Sequence, residues 1–125
     1  MIALDASALL VFLLRERGQE RVGQLLGEAC MSTVNFSEVL GRFARAGKDV
    51  ALIAEKLLET PIELVEFSTA QAVIAAALVP ATQAEGLSLG DRACLALAQE
   101  RRIRAVTADK ASRRLDVGIE IETLR

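Results

Sequence analysis

Histidine is absent from the 125 residues. That removes imidazole acid–base catalysis, serine–histidine triads and histidine-ligated zinc. Tryptophan and tyrosine are also absent, and four phenylalanines are the whole aromatic complement. RNA recognition by rows of stacked aromatic rings is therefore not expected. The two cysteines, Cys30 and Cys94, form no C-x-x-C pair, and each sits among small apolar neighbours. They read as reduced, buried small hydrophobes, which fits a cytoplasmic compartment. A net charge of −2 excludes a broadly basic nucleic-acid coat but leaves room for a local basic patch around an acidic site. No long apolar run is present. Ala6–Leu14 and Ala70–Pro80 are too short to span a bilayer, and Met1–Asp5 has no basic leader, so neither targeting nor membrane insertion is expected.

What is present is enough for one folded domain over residues 1–125, with 52% hydrophobic and 26% charged residues. A chain of this length buries roughly two-thirds of the surface it exposes when unfolded. Linkers, low-complexity tracts and repeats are not evident. The local pattern predicts strands at Ile2–Leu4, Cys30–Thr33, Ile62–Phe67, Arg104–Thr107 and Gly118–Thr123. It predicts helices at Ser7–Arg15, from Gly18 to Glu28, Asn35–Ala46, Asp49–Glu59, from Ser68 to about Val79, and Ser88–Arg101, with a helical turn at Lys110–Leu115. Pro80–Leu87 reads as a loop. The alternation implies an α/β three-layer sandwich, a mostly parallel central sheet flanked by helices. In such a sheet the strand C-termini and helix N-termini share one edge, where ligands bind.

Four acids belong to that edge. Asp5 closes the first strand and Asp109 closes the strand Arg104–Thr107. Glu38 and Asp91 lie in the first turns of the helices opening near Asn35 and at Ser88. Each alone has an ordinary explanation: a strand-closing Asp is turn chemistry, and Asn35-x-x-Glu38 and Ser88-x-x-Asp91 both match a capping box. Together they pose an electrostatic problem. Two like charges about 4 Å apart repel by ~4 kcal/mol at an effective dielectric near 20. A hard divalent cation, Mg²⁺ or Mn²⁺, relieves that repulsion with oxygen ligands alone. Ions held by carboxylates support attack of water on a phosphodiester. Ser7, Asn35 and Thr107 are accessory polar candidates, able to orient a carboxylate or to cap backbone. Glu63, Glu66, Glu120 and Glu122 read as exposed strand positions and the helical glutamates as solvated faces, while Asp116 lies near the rim but past the short turn and fits either reading. Arg15, Arg17 and Arg21, then Arg42 and Arg45, then Arg113 and Arg114 come after the acidic segments and offer phosphate contacts or ordinary surface. Arg92 reads as pairing with a local acid.

Four segments carry a resemblance over the whole chain, in order. They are Leu4-Asp5-Ala6-Ser7-Ala8-Leu9-Leu10, Val34-Asn35-Phe36-Ser37-Glu38-Val39, Leu87-Ser88-Leu89-Gly90-Asp91-Arg92-Ala93-Cys94-Leu95-Ala96-Leu97-Ala98 and Val106-Thr107-Ala108-Asp109. They resemble the four acidic motifs of the PIN-domain ribonucleases and, more narrowly, of the VapBC-type toxins. The resemblance implies a PIN-like fold and an Mg²⁺- or Mn²⁺-dependent endoribonuclease acting on an RNA substrate. It also implies a homodimer and a cognate antitoxin that blocks the site. Asp5, Glu38, Asp91 and Asp109 would then be the metal-binding carboxylates, with Ser7, Asn35 and Thr107 as accessory polar residues. An aromatic residue often comes after the fourth motif in such toxins; here the next residues are Lys110-Ala111-Ser112. Two rival classes fit the residues less well. A phosphoaspartate receiver or phosphatase needs paired acids near the first strand, and Asp5-Ala6-Ser7 has one. A catalytically silent PIN-like interaction module needs none of the four acids, and all four are present. A P-loop fails too, because Gly41…Gly47-Lys48 has five intervening residues, Asp49 comes next, and a helix precedes it.

Overall fold

The structure is a computed structural model that describes residues 1–124 and, within them, not the side chains of Arg113 and Arg114; those two members of the expected basic set lie outside the described residues, as does Arg125. In chain order the elements are β1 (Ile2–Leu4), α1 (Ala6–Leu13), α2 (Gln19–Leu25) with a 3-10 turn (Leu26–Glu28), β2 (Ala29–Ser32), α3 (Thr33–Arg45), α4 (Val50–Leu58) and β3 (Glu63–Val65). Then come α5 (Thr69–Ala77), α6 (Val79–Thr82) with a 3-10 turn (Gln83–Glu85), α7 (Leu89–Arg101), β4 (Arg104–Thr107), a 3-10 turn (Lys110–Arg114) and β5 (Ile121–Thr123). The five strands form one sheet in the order β3-β2-β1-β4-β5, and every pairing is parallel. The chain winds outward from β1 through β2 to β3, then returns to the other side of β1 for β4 and β5. The direction of winding therefore reverses between β1 and β4, where sheets of this kind form a crevice at their strand C-termini.

The period-two alternation of the strands sorts two unequal cores. Ile2, Leu4, Ala29, Met31 and Val106 face α1, α2, α3 and α4, packing with Leu9, Val22, Leu25, Val39 and Leu57. Ala3, Cys30 and Ala105 face the other way, packing with Cys94, Leu95, Leu97 and Ala98 of α7 and with Leu78. The sheet offers large side chains on one face and small ones on the other. The small face lets α7 come close, and the run Ala93–Ala98 is buried without interruption. That explains why the sequence of this helix is apolar nearly all round: it is covered by the sheet on one side and by α3 and α5 on others. Both cysteines are free and buried, with Cys30 Sγ donating to the Ile2 carbonyl (3.4 Å) and Cys94 Sγ to that of Ala3 (3.7 Å).

Several local expectations change. Pro80 does not lie in a loop: it sits in the first turn of α6, where its missing N–H costs nothing, and a 3-10 turn continues the helical path to Glu85. Asn35 does not cap its helix. Ser32 is the N-cap, accepting from Val34 N at 3.2 Å, so α3 begins two residues earlier than predicted, Asn35 lies inside it, and Glu38 lies beyond its first turn rather than in it. The final edge strand is shorter than Gly118–Thr123, because Gly118 takes φ +77 and the chain enters the sheet only at Ile121. Glu122 is not simple surface. Its carboxylate takes a two-pronged bond from Arg21 (2.8 and 2.9 Å) and a second contact from Arg104 (3.4 Å). Arg21 is thus committed to an acid, while Arg15, Arg17, Arg42 and Arg45 remain exposed. Arg92 does not pair with an acid; its guanidinium donates to the Ala75 carbonyl at 3.0 Å, near the end of α5. Among the described residues no helix is long and apolar enough to cross a membrane.

Candidate active site

Asp5 stands directly after β1 and caps α1. Its Oδ1 accepts from the Ala8 amide at 2.9 Å and from the Ser7 hydroxyl at 2.7 Å. The residue is buried at 6% exposure. Burial is the dominant influence on its proton affinity and raises it. The Thr107 and Ser7 hydroxyls and the Ala8 amide pull it down, the charge of Asp91 pushes it up again, and the net pKa is raised to about 6. Asp5 is therefore a carboxylate short of compensating positive charge.

A run of hydroxyls ties this carboxylate to the end of β4. Ser7 gives its single proton to Asp5, and its oxygen stands 3.2 Å from Thr107 Oγ1. Ser7 Oγ also accepts from the Ala108 amide (3.0 Å), and Thr107 Oγ1 accepts from the Asp109 amide (3.0 Å). Asp109 caps the next 3-10 turn, its Oδ1 accepting from Ala111 N at 3.0 Å. The two strand-end acids are thus linked through Ser7 and Thr107 across the point where the winding reverses.

Asp91 comes from the opposite layer. It is the third residue of α7 in a complete capping box: Ser88 Oγ accepts from the Asp91 amide at 3.2 Å, and Asp91 Oδ2 accepts from the Ser88 amide at 2.9 Å. The capping explanation is therefore true as well as the functional one, because the box aims the carboxylate. Asp5, Asp91, Cys94, Leu95, Ala105, Thr107, Ser112 and Ile121 line a pit of about 10 Å³, space for one water-sized sphere. Burial beside these acids drives the Cys94 thiol well above the ordinary thiol range, so it lines the pit as a neutral group.

Glu38 projects from α3 beside the N-terminus of α7. Asn35 Nδ2 donates to Glu38 Oε1 (2.9 Å) and to the Gly90 carbonyl (3.0 Å). From Glu38 an open groove of about 580 Å³ runs along α3 past Thr33, Val34, Ser37 and Gly41 to Arg45.

All four predicted acids therefore lie on the strand C-terminal edge, but in a graded arrangement. Asp5 and Asp91 share the pit, Glu38 stands at the α3–α7 junction, and Asp109 caps the turn after β4. Among the described residues no three His, Cys, Asp or Glu side chains lie close enough together to hold one ion jointly. The pair still suits a hard divalent cation. Its donors are oxygens, Asp5 lacks compensating charge, and Mg²⁺ is usually held by one or two carboxylates with water completing its shell. Sequence reasoning missed Ser112 and Gly90. Ser112 had a faint signal, three residues beyond Asp109 on a helical turn. Gly90 had none, because its role depends on what α3 places above it.

Comparison with known proteins adds three findings. A profile of the PIN domain family matches residues 2–118. No curated protein matches the sequence significantly. The fold is similar to that of solved structures at low identity. Against a DNA-bound VapBC from Salmonella typhimurium the TM-score is 0.74 at 18% identity, covering 99% of this chain and 98% of the other. Against a toxin–antitoxin complex from Klebsiella pneumoniae it is 0.72 at 18%, covering 100% and 98%. Against VapC20 of Mycobacterium tuberculosis, a toxin that cleaves the sarcin–ricin loop, it is 0.71 at 15%, covering 93% and 97%.

Proposed function

The chain belongs to the PIN-domain family, and from that premise we propose that it is an endoribonuclease dependent on Mg²⁺ or Mn²⁺, the toxin of a toxin–antitoxin pair. The observation that carries this reading is the Asp5–Asp91 pair facing one pit, with Asp5 buried and held by Ser7 and Ala8 in a single orientation. Asp5 and Asp91 would hold the cation, with Glu38 and Asp109 at its margins. When bound, the cation supplies charge against the phosphate and lowers the pKa of water. The protein's own residues do the rest. The Ser7–Thr107 hydroxyls keep the Asp5 carboxylate aimed, and the Ser88 box keeps Asp91 aimed. The groove from Glu38 to Arg45 offers a bed for a single RNA strand, with the exposed guanidiniums of Arg42 and Arg45 on the same helix for its phosphates.

The partners proposed are an RNA, a cognate antitoxin covering the site, and a second copy of this chain. The similar VapBC and toxin–antitoxin structures support the antitoxin. The two free, buried cysteines suit a reducing cytoplasm.

The deciding experiment is cleavage of a single-stranded RNA by the purified protein with Mn²⁺, beside Asp5→Asn and Asp91→Asn. Cleavage by the wild type and its loss in both variants, each folded by circular dichroism, is the expected result. Wild-type levels of cleavage by either variant would refute the assignment. A folded wild type that binds neither Mn²⁺ nor Mg²⁺ would instead be a silent interaction module.

A further inference from the structure

Glu38 belongs to α3, yet its carboxylate rests on α7. It lies against the Cα of Gly90: a methyl group built there would overlap both carboxylate oxygens and Cδ. Gly90 is not required by its backbone, since it sits within a regular helix and is not among the residues with positive φ. What lies above it is the flexible end of Glu38, which a methyl group would displace. Any side chain at this position would lift the Glu38 carboxylate off α7.

Asn35 completes the arrangement. Its Nδ2 uses both protons, one on Glu38 Oε1 and one on the Gly90 carbonyl. Both partners are acceptors, so the amide cannot be turned over without opposing oxygen to oxygen. In this orientation Oδ1 has no hydrogen-bond partner among the described residues, in a residue that is 1% exposed. A buried amide oxygen left unsatisfied is unfavourable. The fold accepts that, and accepts a glycine inside a helix, at one and the same contact. The residue after Gly90 is Asp91. The contact therefore fixes where the Glu38 carboxylate stands relative to that of Asp91.

We propose that Gly90 and Asn35 are positioning residues: together they seat the Glu38 carboxylate on the first turn of α7, so that two helices present their acids to a divalent cation in one fixed placement. This rests on the reading of Glu38 as a cation-binding group and adds a residue with no functional group of its own. Packing alone would make glycine here a defect, since alanine is the better helix former.

The test is Mn²⁺ affinity, read from the electron paramagnetic resonance of the free ion, on the full chain without RNA. The proteins are wild type, Glu38→Gln, Gly90→Ala, Asn35→Ala, Gly90→Ala with Glu38→Gln, and Gly90→Ala with Glu38→Asp. Gly90→Ala is expected to weaken Mn²⁺ binding about tenfold, the scale typical of lost support for a ligand. Glu38→Gln should weaken it similarly, and the double variant should be no weaker than either single one. Aspartate, shorter by one methylene, should clear the new methyl group and restore part of the affinity to Gly90→Ala. An affinity of Gly90→Ala within twofold of wild type would overturn the proposal, as would losses that multiply in the double variant. If Gly90→Ala does not fold, Asn35→Ala decides: weakened binding supports the proposal and unchanged binding overturns it. Unchanged binding in Glu38→Gln removes the role of Glu38 and this inference with it. Asp91→Asn in the same assay then reports separately on the wider metal-nuclease reading.

Discussion

Ser7 and Thr107 are a hundred residues apart in the chain, and their hydroxyl oxygens stand 3.2 Å apart. The contact closes the crevice between β1 and β4 and makes the Asp5 carboxylate part of both strand ends. Ser7→Ala removes the donor to Asp5 and leaves the Ala108 amide without its acceptor. A half-buried donor so orphaned costs about 1 kcal/mol, the low end of the range for buried groups. The variant should be less stable by that amount in urea unfolding. Because the lost bond favoured the charged carboxylate, the Asp5 pKa should rise further above its value in the wild type.

The raised Asp5 pKa also predicts the pH dependence of stability. Its folded value, about 6, lies above the ordinary carboxylate value near 4 of an unfolded chain. The folded state therefore holds the proton more tightly. The stabilising contribution is complete below about pH 4 and is lost as pH rises through 6, in all roughly 3 kcal/mol for two units. In metal-free buffer, wild type minus Asp5→Asn should show this fall, and Asp5→Asn should be the more stable protein at pH 8. A flat difference from pH 4 to 8 would contradict the burial argument.

A divalent cation at Asp5 should counter that loss. At pH 8, millimolar Mn²⁺ should raise the melting temperature of the wild type, and should do so less in Asp5→Asn and in Asp91→Asn. Thermal unfolding tracked by circular dichroism checks this directly. Ligand linkage requires a shift that grows with the logarithm of ion concentration above the dissociation constant.

The capping box separates support from chemistry at α7. Ser88→Ala should cost about 1 kcal/mol, the usual worth of an N-cap side chain. It should leave cleavage reduced but present, since the Asp91 carboxylate keeps its bond to the Ser88 amide. Asp91→Asn should be the converse, with cleavage abolished while the fold is retained. Chemical denaturation paired with RNA cleavage distinguishes the two.

The small face of the sheet carries a further stability prediction. Ala3 is fully buried between the sheet and α7. Ala3→Leu should destabilise by about 1–3 kcal/mol through overpacking. By pushing α7 outward it should also reduce cleavage, since Asp91 rides on that helix. The same exchange at exposed Ala51 should do neither.

Much of this was legible along the chain. Ile2–Leu4 and Arg104–Thr107 are strands in the structure as the pattern predicts, because short buried parallel strands are dense in apolar residues and end at acids that cap the next helical turn. Alternation of strand and helix implied the parallel sheet. Capping rules located Asp49, Ser68 and Ser88 at helix starts. Where local rules failed, a distant partner had intervened. Asn35 has the right spacing for a cap, but it bonds to α7, and Ser32 caps the helix. Glu122 alternates like a solvated strand residue, but Arg21 and Arg104 close on it.

By itself, then, the sequence determined most element types, the parallel α/β architecture and the placing of Asp5, Asp91 and Asp109 at strand ends and a helix start, because these depend on side-chain period and backbone capping, which act over a few residues. Only the tertiary structure decided which acids share a pit, which guanidiniums are already paired, and which carboxylate a side chain at position 90 would displace. Those depend on how near two elements lie, and that distance is set by the size of the residues packed between them.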